Sequence, residues 1–159
     1  MQKTIRRQDR ALSQADAEII LTEGIYGVLS TISADQTPYG MPMTYIYDHG
    51  SLYFHGATAG HRMENLLQNP NACFTVVAQN QQIPGTFTTY YRSAIAFGTI
   101  TIVSDEIEKR EALIKMLQHH YPDVADQHEQ YTDARIHKTA LFRLDISYLT
   151  AKGYGKSQL

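Results

Sequence analysis

The chain has no tryptophan, one cysteine and only five prolines among its 159 residues. A lone Cys73 cannot close an internal disulfide, which excludes a small stapled scaffold. Charge is also sparse: 19% of residues are charged, and fourteen Lys+Arg against sixteen Asp+Glu leave a formal net charge of −2. That balance excludes a polycationic nucleic-acid binder and a charge-swollen disordered chain. No basic run exceeds Arg6-Arg7, and no apolar run approaches the roughly 18 residues of a spanning helix, so neither nucleic acid nor membrane is an expected partner. The start, MQKTIRRQDR followed by ALSQADAE, carries no charged-then-apolar leader, and the cytoplasm is the expected compartment. What is present is 43% hydrophobic residues, eleven of them tyrosine, enough for one core in a single domain over residues 1–159.

Residues 13–25 start at Ser13, a good N-cap, with Asp16 and Glu18 in the first turns and Gly24 near the end, which predicts a short helix. Residues 26–33 are β-branched and aromatic, and the polar segment 34–38 has hairpin length. Tyr39, Met41, Met43, Tyr45 and Tyr47 then alternate with smaller residues, predicting one strand from 39 to 47. Asp48-His49-Gly50 is a turn, residues 51–55 a third strand, and residues 61–68 a short helix stopped by Asn69-Pro70. A fourth strand is expected over 72–78, a polar linker over 79–85 and a fifth strand over 88–103. In that fifth strand Ile95 and Phe97 share one parity and Ile100 and Ile102 the other, so a bulge at Gly98-Thr99 is expected to return both pairs to one side. Ser104 or Asp105 caps a helix ending before Pro122. Phe142, Leu144, Ile146 and Tyr148 alternate along a sixth strand. The fold class is α+β, mainly β. Many antiparallel strands must close or hide their edges, so a small barrel with peripheral helices is expected.

The most informative stretch is residues 54–62, FHGATAGHR. It leaves a strand, passes through small residues and enters a helix at His61-Arg62. Free N–H groups at a helix start, the positive end of its dipole and two cations suit an anion such as a phosphate. A surface loop carrying two solvated basic residues is the plainer alternative. Pro42 in mid-strand marks either an edge strand or a place where a ligand faces the backbone.

The order of segments STISADQTPYGMPMTYIYDHGSLYFHGATAGHRMENLLQNP and YRSAIAFGTITIVSDEIEKREALIKML resembles the pyridoxamine 5'-phosphate oxidase-like flavoproteins, and within them the nitroimidazole-resistance branch. The resemblance runs from about Ile25 to the region of Lys152 and Lys156. It implies a six-stranded antiparallel FMN-binding split barrel, with FMN at a homodimer interface. By position it implies that His61 and Arg62 hold the phosphate. The ring-lining strand falls on Met41, Pro42, Met43, Thr44, Tyr45 and Ile46, strand-end contacts on Phe54, His55, Gly56 and Ala57, and a polar contact on Ser93. The vitamin-B6 oxidases of the superfamily end in a segment supplying Trp and Arg and place a phosphate-binding Arg where this chain has Met41. The ending LTAKGYGKSQL lacks both residues, which disfavours pyridoxamine phosphate oxidation.

The resulting expectation is an FMN-dependent oxidoreductase that passes electrons from NAD(P)H to a small acceptor such as a nitroimidazole. His55 and His61 are its candidate proton-donating or polarising groups. Flavin affinity is expected to fall as pH rises through the His61 titration. The alternatives are a flavin- or haem-binding sensor or carrier, with His49, His55 or His61 as axial ligand, and a cofactor-free interaction module. His119, His120 and His128 with Asp123 and Asp126 lack a recognised metal-ligand spacing, so no metal is expected. Cys73 reads as an inert thiol in an apolar strand.

Overall fold

The computed structural model describes residues 5–155, so Lys156 lies outside the described residues. Its first long element, α1 (Gln14–Glu23), begins as the sequence predicts: the Ser13 hydroxyl accepts from the Asp16 N–H, and the Asp16 carboxylate accepts in return from the Ser13 N–H. Ala17, Ile20 and Leu21 of α1 are buried.

The strands are β1 (Tyr26–Ile32), β2 (Pro38–Thr44), β3 (Ile46–Asp48), β4 (Ser51–Gly56), β5 (Asn71–Ile83), β6 (Thr88–Ile102) and β7 (Ala140–Tyr154). α2 (His61–Gln68) joins β4 to β5, and α3 (Glu106–His120), capped by Asp105, is followed by a 3-10 turn and α4 (His128–Asp133). The tight β3–β4 turn uses His49 and Gly50, both at positive φ, as a two-residue hairpin requires. Among the described residues, no helix is long and apolar enough to cross a membrane.

All seven strands join one antiparallel sheet in the order β2-β1-β5-β6-β7-β4-β3. The two edge strands, β2 and β3, are consecutive in the chain and separated only by Tyr45. The sheet therefore curls until its edges meet through the covalent chain, leaving β2 and β4 side by side without a ladder between them. This is an antiparallel barrel with a gap.

Tyr45 is the reason seven strands replace the expected six. Its side chain is fully buried and its hydroxyl donates to the Leu21 carbonyl, 2.7 Å away, one of the orphan carbonyls at the end of α1. That inward anchor breaks the expected 39–47 strand in two. The expected linker at 79–85 is also corrected: β5 continues to Ile83, paired with Thr88 at the end of β6. The Pro-Asp stretch after α3, which reads as a loop in the sequence, forms the 3-10 turn Pro122–Gln127 leading into α4.

The expected bulge falls at the expected height but in the other strand. The register shifts between Phe97↔Tyr148 and Gly98↔Ile146, which leaves Ser147 of β7 as the extra residue. β6 alternates without interruption, so Ile95 and Phe97 stay on the outer face while Ile100 and Ile102 join the barrel core. Tyr148 is likewise switched away from Phe142, Leu144 and Ile146. Gly98 is required because a Cβ there would run into the Asp145 carbonyl across the ladder.

The barrel interior holds Leu29, Phe74, Val76, Phe54, Phe142 and Leu144, with Phe74 ring centroids 4.8 Å from both Tyr45 and Phe54. A second cluster, including Ile46, Leu113, Met116 and Leu141, seats α3 on the outside of β3, β4 and β7. Among the described residues the outer face of the remaining sheet carries no α-helix; only a 3-10 turn (Gln8–Arg10) reaches its end, where Arg10 lies over the Tyr154 ring, 4.3 Å from the centroid, and beside Tyr91. Its cross-strand rows read Gly40, Ser30, Cys73, Phe97, Tyr148 and Pro42, Val28, Thr75, Ile95, Thr150. A third row contains Val77, Ser93 and Lys152, flanked by Tyr26 and Thr44.

Candidate functional site

The loop between β4 and α2 ends at Gly60, whose φ of 109° lies where a side chain is disfavoured, and the helix starts with no side-chain cap on its first N–H groups. The helix is pinned to the barrel by Asn65, whose buried amide donates to the Thr31 hydroxyl at 3.0 Å. With that anchor set, consecutive residues point about 100° apart around the helix axis, so His61 and Arg62 face different surroundings.

The His61 ring lies against Tyr39, centroids 4.2 Å apart, and its Nε2 is 2.9 Å from the Ser33 hydroxyl. Arg62 turns into the gap between β2 and β4. Its guanidinium stacks over the Phe142 ring, 4.5 Å from the centroid. One terminal nitrogen lies 3.6 Å and 3.9 Å from the sulfurs of Met43 and Met41, and the other donates to the Ala57 carbonyl at 3.3 Å. Thioethers are weak acceptors. The Arg62 Nε is buried with no hydrogen-bond partner, and among the described residues no carboxylate pairs with this cation. Burial pulls its pKa below the ordinary arginine value. Gly56 borders the group so closely that a Cβ would fall on the guanidinium.

The structure thus brings Met41, Met43, Gly56, Ala57 and Arg62 together, while the other sequence-predicted residues lie elsewhere. Pro42 and Thr44 are exposed on the outer face of edge strand β2. Tyr45 and Phe54 are in the barrel core, and Ile46 is in the second cluster under α3. His55 lines a groove of about 90 Å³ with Leu113, Met116, Tyr131, Thr132 and Arg135. Although water reaches its ring, that crowding lowers its pKa, helped by the positive charges of His120 and Arg62. Ser93 sits on the outer face between Val77 and Lys152. His49 is on the exposed β3–β4 turn. His120 and His128 place their Nε2 atoms 2.9 Å from the carbonyls of Tyr45 and Tyr121. Cys73 is half-buried and burial raises its thiol pKa.

Sequence reasoning missed Phe142 and Ser33. The alternation of β7 marks Phe142 as inward-facing, but only the Phe54↔Phe142 register carries it beneath Arg62. Ser33 carried no signal beyond its place at the end of β1.

A family model described as pyridoxamine 5'-phosphate oxidase matches residues 13–153. The chain belongs to this family. No curated protein matches it. Among solved structures, it is similar to a candidate 5-nitroimidazole antibiotic resistance protein from Bacteroides thetaiotaomicron, 23% identical over 90% of this chain and 86% of that one, with a TM-score of 0.78. The flavocytochrome Anf3 from Azotobacter vinelandii is 21% identical, covering 98% of this chain and 74% of its own, with a TM-score of 0.81. A FAD- and heme-binding protein from Mycobacterium smegmatis is 18% identical over 91% of this chain and 72% of that one, with a TM-score of 0.73. At these identities the likeness establishes the fold.

Proposed function

We propose that this family member holds FMN, with its phosphate on Arg62 and the start of α2, and acts as a homodimeric oxidoreductase for a small acceptor. The observation that carries the reading is the unmatched Arg62 guanidinium. A half-buried cation facing thioethers, with an orphaned Nε and no carboxylate beside it among the described residues, fits an anion supplied from outside the chain. His61, on the same helix turn, would add a second donor only by turning from Tyr39 and Ser33, and Met41 and Met43 give polarisable, apolar walls beside the phosphate end. Bound FMN would supply the redox chemistry, taking electrons from NAD(P)H and releasing them to an acceptor of the nitroimidazole or nitroaromatic type. The chain's own part is to bind, to orient and to exclude water, with His55 and His61 as the groups available to move protons. Flavin-binding proteins among the structural neighbours support this choice of ligand class.

Assembly from two copies is supported by the helix-free face. An isologous contact sets each patch against itself, so like charges would meet; of the fifteen residues in its three rows only Lys152 is charged. Ser93 gives a second argument. Its neighbour Lys152 is ten residues along β7 from Phe142, a contour of about 33 Å at ~3.3 Å per residue. Arg62 and Ser93 of one chain are therefore poorly spaced for one nucleotide, and Ser93 suits a nucleotide held by the other copy.

The test is the absorption spectrum of fresh protein, followed by FMN titration of wild type and His61→Ala/Arg62→Ala. Twin flavin bands and a melting temperature raised by FMN are expected, with affinity lost in the variant. A Soret band instead would identify a haem carrier. Colourless protein with no FMN-induced stabilisation, or unchanged affinity in the double variant, would overturn the reading.

A further inference from the structure

Past Val77 and Arg92, β5 and β6 leave the barrel. β1 pairs with β5 only as far as Thr75, and β7 ends opposite Tyr91, so, among the described residues, 80–89 form a two-stranded ribbon with no third strand on either side. The ribbon is not a slack loop. Pro84 and Gly85, the latter at φ 74°, occupy the middle of a turn in which the Ile83 carbonyl accepts from both the Thr86 N–H and its hydroxyl, at 3.2 Å and 3.0 Å. The Thr86 hydroxyl in turn accepts from the Thr88 N–H. An isolated ribbon of this kind is marginal in water, and exposed ladder edges are ordinarily guarded by charge. Residues 78–91 contain none, in a chain that is 19% charged. At the tip Phe87 is completely exposed.

The ribbon continues the helix-free face. Ala78 is the extra residue of a bulge between Val77 and Gln79, after which Asn80, Gln82, Thr89 and Tyr91 prolong the outer side that carries Val77 and Ser93. Five strands at about 4.8 Å spacing and rows spanning about 17 Å give that face a footprint of about 400 Å². A stable dimer buries about 800 Å² per partner, so the face alone falls short and a rigid arm projecting about 17 Å beyond it adds the needed surface. Lack of charge suits self-pairing, since an arm and its symmetry mate then meet without like-charge repulsion.

We propose that the 79–90 ribbon is a dimer arm that closes over a second copy of this chain and seats Phe87 on it. The proposal rests on the two-copy reading above. It is tested by sedimentation velocity on dilution series of full-length wild type, Phe87→Asp and a variant in which residues 83–88 are replaced by Asn-Gly. The point variant keeps the test valid should the trimmed chain fold poorly. Wild type is expected to be a dimer, with Phe87→Asp raising the dissociation constant at least about tenfold and trimming raising it about a hundredfold. A dimeric wild type whose variants dissociate within about twofold of it would refute the arm and leave the two-copy reading intact. A wild type that is monomeric at high concentration would remove both.

Discussion

Replacing Arg62 by methionine separates two roles that a single loss-of-function variant would confuse. If Arg62 is there to meet a phosphate, its charge is a liability to the protein alone. Removing it forfeits the cation–π contact with Phe142, worth about 0.5–2 kcal/mol, but relieves a buried Nε without a partner, worth about 1–3 kcal/mol. A methionine packs its chain where the arginine stem lay, against Met41, Met43 and Phe142. The ligand-free variant is therefore expected to unfold in urea within about 1 kcal/mol of wild type, or to be more stable. FMN binding should move the other way: losing one or two charge-assisted hydrogen bonds to phosphate costs about 1.5–3 kcal/mol, a fall in affinity of about 10- to 150-fold. Urea unfolding of the ligand-free protein and fluorescence titration of FMN measure the two quantities on the same samples. A variant that loses more than about 2 kcal/mol of stability while binding FMN as wild type does would show Arg62 to be a plug for the barrel gap and defeat the phosphate assignment.

Two further outcomes follow from the same geometry. Tyr45→Phe should cost about 1–2 kcal/mol of stability, because the Leu21 carbonyl is left buried without its donor, and should leave FMN affinity unchanged; a selective loss of affinity would restore Tyr45 to the ring-lining set. The second concerns pH. Burial, first among the causes, lowers the pKa of both His55 and His120 from 6.5, so the unfolded chain takes up their protons first on acidification. Their contribution to stability is complete above about 6.5 and is lost as pH falls through the depressed folded values. His120→Asn, which keeps a donor for the Tyr45 carbonyl, should flatten urea stability between about pH 7 and 5, and an undiminished slope would count against the assignment.

Local chemistry was readable in the sequence wherever a side chain acts on its own neighbours. Ser13 and Asp105 cap as expected, Asn69-Pro70 stops α2, and His49-Gly50 turns β3 into β4. Long-range pairing was not. The alternation from Tyr39 to Tyr47 is unbroken in sequence, and only the Leu21 carbonyl, held out by α1, explains why Tyr45 leaves the ladder. Gln79 to Gln82 have weak strand preference, yet pairing with residues of β6 makes them a strand. Gly98 marked the height of the bulge, but the need for glycine arises from a carbonyl across the ladder and the extra residue, Ser147, has nothing unusual about it. In the candidate site, Arg62 was legible as a cation at a helix start; the thioethers and phenyl ring around it were not, because they arrive from β2 and β7.

Those surroundings also bear on why the barrel stays open. Hydrogen bonding between β2 and β4 would close it and satisfy two strand edges, a gain that the chain forgoes. Pro42 in β2 removes one donor outright, and Tyr45 fixes the crossover so that β3, not β2, pairs with β4. Into the resulting gap the sequence sends an arginine, the side chain least suited to fill an apolar seam without a partner. Open ladder edges, a glycine pressed against the guanidinium and an unmatched cation each weaken the fold, and all three meet at the gap. Such local costs concentrate where a ligand offsets them, and an anion reaching Arg62 through the gap is the ligand that would offset this set.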